Sequence, residues 1–269
     1  MGKKALIFDL DNTLYSWMDS FAPAFDAASI YLSQVTKIPL KNIRESFKKV
    51  FLQHQSVEVI NAIEELDIWD KSCLALDENE LTQIQKAAQE LFFKEFKKHL
   101  QLYPNVCNVL MWAKNNGYLL FAFSDARAYW VNFRLTTLSI EGYFDRIYAL
   151  KDEGTSYLEN GYLSTFKQYM QEQCKPNTSV IIEIINNYNL SIQDVYAIGD
   201  SKKKDILPAN KIGINSIWAK YGMQCSPKSR RIMGSITPWT TSQRSGGGNI
   251  KPRYTIDNFN NLIYILMKQ

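Results

Sequence analysis

Three short runs in this chain, residues 5–8, 118–123 and 195–198, are apolar or aromatic at every position. A strand covered on one face alternates apolar with polar residues. A run without alternation therefore predicts a strand buried on both faces, as in a parallel sheet held between helical layers. The intervening sequence agrees with this. After Pro104, residues Val106, Val109, Leu110 and Ala113 keep helical spacing until Gly117 ends the helix. Further helices are expected at 129–138, 178–188 and 203–211, and short strands at Arg146–Leu150 and 214–218. Such alternation predicts an α/β fold, a doubly wound parallel sheet. A strand near Tyr254 and a helix over 257–267, with Asp257 as N-cap, close the pattern.

One block departs from it. From residue 16 to residue 99 only helical spacing is seen: Phe21, Phe25, Ala28 and Leu32, then Ile43, Phe47, Val50 and Phe51. A third helix is expected over Glu78–His99, with Leu81, Ile84, Ala88, Leu91 and Phe92 as its buried stripe. At 269 residues the chain exceeds the usual single domain of about 100–150 residues. The expected organisation is a core of residues 1–15 and 101–269, with residues 16–100 inserted as an all-helical domain. Its aromatic residues Trp17, Phe21, Phe25, Phe51 and Trp69 read mainly as helical core. Two segments fit neither pattern. Residues 151–173 are expected to be an insertion with a short hairpin or helix. Residues 224–253 carry three prolines, the triplet Gly246-Gly247-Gly248 and six basic residues without an acid, and are expected to form a surface loop.

Open parallel sheets bind ligands beyond the carboxyl ends of their strands. The first strand is followed by Asp9 and Asp11, the next buried run by Ser124 and Asp125, and the third by Gly199, Asp200, Ser201 and then Asp205. With a strand period of two, Asp9 and Asp11 are expected to start out on the same side as the chain leaves the sheet. Two neighbouring carboxylates repel, so the pair needs a cation between them or a proton on one. Lys202-Lys203-Lys204, at the start of a predicted helix, reads as a solvated face.

Composition narrows the function classes. The formal charge of +4 is small and dispersed, a weak pull toward acidic or phosphorylated ligands that makes no case for nucleic acid. Cys73, Cys107, Cys174 and Cys225 lack the close pairs of a zinc site and read as free thiols. His54 and His99, the two histidines, both fall in the helical block, so a histidine-based mechanism is not expected. No apolar stretch approaches the ~18 residues of a membrane span, and the first strand, broken by two acids, does not read as a signal peptide. Met1-Gly2 is not followed by Ser or Thr at position 6, where Leu6 sits, so myristoylation is not expected. A soluble cytoplasmic protein is the expectation.

Asp9-Leu10-Asp11-Asn12-Thr13, Ser124, Lys175-Pro176 and Gly199-Asp200-Ser201 through Asp205-Ile206 resemble, in order, the four motifs of the haloacid dehalogenase-like (HAD) hydrolase superfamily. The likeness covers the core, and the helical block falls where that family inserts its type 1 cap. The resemblance implies a HAD-like Rossmannoid core and a magnesium-dependent phosphomonoester hydrolase working through an aspartyl-phosphate. Asp9 would be the nucleophile and Asp11 the general acid and base. Magnesium would be bound by Asp9, Asp200 and the Asp11 carbonyl, with Asp205 holding a metal-bound water or orienting Lys175. Ser124 and Lys175 would contact the phosphate, with secondary parts for Thr13 and Asp125, although Asp125 could equally cap the next helix. Family dehalogenases need no acid at position 11, whereas release of an alkoxide needs a proton; Asp11 therefore favours a phosphatase. The implied substrate is a small phosphorylated metabolite such as a nucleoside monophosphate, a sugar phosphate or phosphoglycolate. The alternatives are a phosphomutase of the same fold and a catalytically silent binding protein.

Overall fold

The computed structural model describes residues 2–69, 77–152, 165–237 and 248–268. The chain divides into two compact units, Met1–Ser16 with Gln101–Gln224 and Ser245–Gln269, and Trp17–Leu100 with Cys225–Arg244.

The first unit is built on seven parallel strands in the order β4-β3-β2-β1-β5-β6-β7. They are β1 (Lys4–Phe8), β2 (Tyr118–Arg127), β3 (Arg146–Leu150), β4 (Phe166–Tyr169), β5 (Val195–Gly199), β6 (Asn215–Ala219) and β7 (Tyr254–Ile256). The central position of β1 explains its unbroken apolar run, since both neighbours and both faces are protein. Ala5 and Ile7 share one face with Phe121, Phe123, Val195 and Ala197, under Val180, Ile181 and Ile184 of α6 (Ser179–Asn187) and Ala209 of α7 (Leu207–Ile212). Phe8, of opposite parity, meets Phe144 and Phe259 with ring centres 6.4 and 5.9 Å away. Helices α4 (Val106–Asn115) and α5 (Ala128–Leu138) pack on β2. Gly117, at φ 78°, takes the left-handed turn that carries α4 into β2. In register, Phe8 lies opposite Ala122 on one side and Ile198 on the other, so Asp9, Phe123 and Gly199 reach the same sheet edge together.

Among the described residues the second unit has helices and no strand: α1 (Trp17–Thr36), α2 (Leu40–Gln53), α3 (Glu78–His99) and α8 (Pro227–Ile236). Asp77 and Glu80 form a capping box that starts α3. Phe21, Phe25, Phe47, Phe51, Phe92 and Phe96 make its core, mostly edge to face, with Phe21 to Phe96 at 5.5 Å and Phe25 to Phe47 at 5.2 Å.

Four expectations change. The loop expected at 224–253 contains α8, which packs on α1 and α2 and buries Ile232, Met233 and Ile236; its Arg and Lys side chains face outward, which masked the amphipathic spacing. The helical unit thus includes a segment from beyond residue 100. Within 151–173 the described end holds the edge strand β4, whose mixed sequence suits an edge, and then a short 3-10 helix, Gln171–Gln173, which answers the helix half of the expectation; residues 153–164 lie outside the described residues. The last helix, α9 (Asn261–Met267), starts later than expected. Asp257 is exposed beside Lys220, while Asn258 and Asn261 exchange side chain to backbone hydrogen bonds at the turn. The helix expected at 203–211 opens as a π-helical turn, Lys202–Ile206, before α7. Among the described residues, no helix is long and apolar enough to cross a membrane.

Candidate active site

Asp9 follows β1 directly, and its N–H donates to the Ile198 carbonyl at 2.8 Å, so its backbone is fixed as an extension of the sheet. Its carboxylate is held at both oxygens. Oδ1 accepts from Lys175 Nζ at 2.6 Å and Oδ2 from Thr13 Oγ1 at 3.0 Å. Lys175 is buried, lies 4.9 Å from the centre of the Phe123 ring, and also donates to Asp205 Oδ1 at 2.8 Å. Burial by itself would lower its ammonium, but the carboxylates of Asp205 and Asp9 outweigh burial and hold it above the usual lysine range.

The π-helical turn brings Asp205 to this place. The wide turn, with Ile206 N–H reaching back to the Ser201 carbonyl, returns the Asp205 side chain to the Ser201 N–H at 3.0 Å and to Lys175. Gly199 makes room for it, because a Cβ there would collide with the Asp205 carboxyl group. Carboxylate oxygens of Asp9, Asp200 and Asp205 lie within 4.8 Å of one another. Burial, then the charges of Asp9 and Asp205, push Asp200 well above the usual carboxylate range. Asp205 is pushed up too, by burial that the Lys175 ammonium only partly offsets. Three crowded acids against one buried ammonium leave excess negative charge, and the donors are all hard oxygens. That set fits a divalent cation of the magnesium type.

Asp11 has a cation of its own. The chain leaves β1 at Phe8 and turns through Asn12, at φ 61°, with Asn12 N–H bonded to the Tyr15 carbonyl. The turn replaces the strand period of two, and Asp11 meets Arg134 of α5 instead, with both oxygens 3.0 Å from its Nη1. The Arg134 side chain has no exposed surface. Asp9 thus pairs with Lys175 and Asp11 with Arg134.

Ser124 is buried near the end of β2; its Oγ accepts from Ala126 N–H at 3.2 Å and its carbonyl from Tyr169 Oη at 2.7 Å. The Asp125 carboxylate is engaged by three donors. Oδ1 accepts from Lys175 N–H at 2.9 Å and Tyr169 Oη at 3.1 Å, and Oδ2 from Lys204 Nζ at 2.9 Å. Burial would raise its carboxyl, but Lys175 and Lys204 outweigh burial and hold it below the usual range. The Asp125 carboxylate thus anchors the Lys175 backbone. Thr13 likewise spends its hydroxyl on Asp9. The lysine run is not a uniformly solvated face either, since Lys204 pairs with Asp125 and Lys202 stacks 4.3 Å over Trp218.

Several residues went unnoticed in the sequence. Tyr221 donates its hydroxyl to the Thr13 carbonyl at 2.7 Å, and Gly222 abuts the Asn12 carbonyl and Asp200 so closely that a Cβ would clash with both. Trp218 Nε1 donates to the Asp200 carbonyl at 2.8 Å. All three lie at or past the end of β6, where the strand-end rule also points. Arg134 left a different signal, a charge on the apolar stripe Trp130, Val131 and Leu135 of one helix.

The haloacid dehalogenase-like hydrolase family matches residues 3–213. The chain belongs to that family. A 2-haloacid dehalogenase from Pseudomonas syringae pv. Tomato DC3000 has a similar structure, with a TM-score of 0.60 at 17% identity and 99% of each chain covered. A HAD phosphatase from Thermococcus onnurineus gives 0.59 at 19%, over 98% of this chain and 97% of its own. YfnB from Bacillus subtilis, bound to magnesium, gives 0.56 at 16%, over 99% and 100%. At these identities the likeness is one of fold. No curated protein matches the sequence.

Proposed function

We propose that the protein is a magnesium-dependent phosphomonoester hydrolase acting on a small phosphorylated metabolite through an aspartyl-phosphate. The observation that carries the reading is the pairing of two differently served acids: Asp9 inside an acidic cluster with Lys175, and Asp11 beside it on Arg134. Attack at a carbon–halogen bond expels a halide that needs no proton and brings no dianion against a carboxylate. Phosphoryl transfer needs both a proton donor and positive charge, roles assigned here to Asp11 and Lys175.

In the proposed reaction an Asp9 oxygen forms a bond to phosphorus as the bond to the ester oxygen breaks, and Asp11 gives that oxygen its proton. Asp11 then takes a proton from water as the water oxygen bonds phosphorus and the Asp9–phosphorus bond breaks. Lys175 stays protonated throughout and neutralises charge shared between Asp9 and the phosphoryl oxygens. Ser124 is assigned a hydrogen bond to the phosphoryl group. Asp9, Asp200 and the Asp11 carbonyl would hold magnesium, with Asp205 behind them, and the ion would supply the remaining positive charge against the phosphate dianion. The inserted helical unit, as a cap, would select the leaving group. Nucleoside monophosphates, sugar phosphates and phosphoglycolate are the substrates to try first.

The test is a phosphoester panel with magnesium, run beside a 2-haloacid. Hydrolysis of at least one ester, lost in Asp9→Asn, is expected. Halide release with no phosphate release would overturn the reading.

A further inference from the structure

We propose that Arg134 is a positioning residue for the general acid: it fixes the orientation of the Asp11 carboxylate from which the leaving group is protonated. The inference rests on the phosphatase reading above and extends it to a residue outside the four motifs.

Arg134 is fully buried on α5, 5.7 Å over the Trp130 ring, and its Nη1 lies 3.0 Å from each Asp11 oxygen. Stability alone does not explain such a residue. A buried ion pair replaced by apolar side chains of similar volume is often neutral or stabilising, and the flanking Trp130, Val131 and Leu135 offer an apolar setting. What the arginine adds is direction. A planar guanidinium locked in the core has few orientations, so the carboxylate that compensates it is confined as well. Asp9 is confined independently by Lys175 and Thr13. The nucleophile and the acid are therefore oriented by separate elements, β1 with the Lys175 loop and α5, and cannot collapse onto one shared cation.

Each Asp11 oxygen gives one lone pair to Nη1 and keeps another. One oxygen keeps Arg134 and the other carries the proton outward. Arg134 touches no reacting atom and acts through Asp11.

The test uses the leaving group as its ruler. kcat/KM reports steps up to departure of the leaving group, so it senses proton donation and not the later hydrolysis of the phosphoenzyme. Placed proton transfer contributes roughly 10²–10⁴-fold, and matters most for basic leaving groups. Arg134→Lys and Arg134→Gln should lower kcat/KM for alkyl phosphates by about 30-fold or more, and for p-nitrophenyl phosphate by about threefold, steepening the dependence on leaving-group pKa. Equal losses across the series, or none, would overturn the inference while leaving the phosphatase reading intact. If the wild-type protein hydrolyses no ester at all, the phosphatase reading falls and takes the inference with it. Should the single Arg134 variants not fold, Asp11→Asn is compared with Asp11→Asn/Arg134→Gln, the second of which leaves no lone buried charge. No further loss on adding Arg134→Gln is expected, and a further tenfold loss would show that Arg134 acts by another route.

Discussion

Two glycines record how closely backbone approaches the acids. Gly222 touches the Asn12 carbonyl and Asp200, and Gly199 faces the Asp205 carboxyl group. A methyl group at either place must displace a proposed metal ligand or its support, since the neighbours are backbone or short buried side chains. Gly222→Ala should cost about 1–3 kcal/mol of stability through overpacking, and should weaken magnesium activation of turnover. A variant with unchanged melting temperature and unchanged magnesium dependence would contradict the close approach. Asp125 allows a prediction in pH. Its carboxyl is held below the usual range despite burial, so its ionised form favours the folded state. That contribution is complete above the unfolded value of about 3.9 and is lost as pH falls through the lower folded value. Asp125→Asn should thus be less stable than wild type at pH 7, with the difference shrinking below about pH 4. Urea unfolding at both pH values checks this, and a gap that widens in acid would refute it. Asp9 and Asp200 were legible because each lies within two residues of the end of an apolar run. Arg134 was not, because a pattern of apolar spacing has no place for a buried charge whose partner lies 123 positions earlier in the chain.

At the scale of elements, the central strands were readable from composition alone, because burial on both faces leaves only apolar positions. β4 was not, since an edge strand keeps polar residues such as Lys167 and Gln168 exposed. α8 was hidden by its basic surface and by the prolines on both sides of it. Ser226 caps that helix by accepting from Ser229 N–H at 3.0 Å, and its own N–H donates to Asp19 of α1 at 3.0 Å. Ser226→Ala should lower the stability of the helical unit by about 1 kcal/mol, measured by hydrogen exchange across α8. Unchanged exchange would mean that the cap contributes nothing. The π-helical turn is the element with the most direct chemical consequence. A regular α-helix closes its turns with bonds four residues apart, whereas the wider π turn lets Asp205 bond Ser201 N–H and Lys175 together.

For the whole molecule, the arrangement is a parallel sheet whose central edge gathers acids and one buried lysine, interrupted after β1 by a helical unit that a later segment also joins. The core was visible in the sequence as strand and helix alternation, and the helical unit as its interruption. The second crossing into the helical unit was not, because nothing local in 225–237 reveals which partner its apolar face will find. Chelation of divalent cations should abolish turnover and lower the melting temperature of the first unit, since the crowded carboxylates of Asp9, Asp200 and Asp205 then lose their compensation. A protein equally active and equally stable in chelator would remove the metal from the account. The central claim is that Asp9 carries the phosphoryl group. Acid quenching of the protein during turnover of an aryl phosphate with magnesium, followed by peptide mass analysis, tests it directly. The account predicts one phosphoryl group on the peptide containing Asp9, absent from Asp9→Asn. Turnover without a phosphorylated Asp9, persisting in Asp9→Asn, would contradict it.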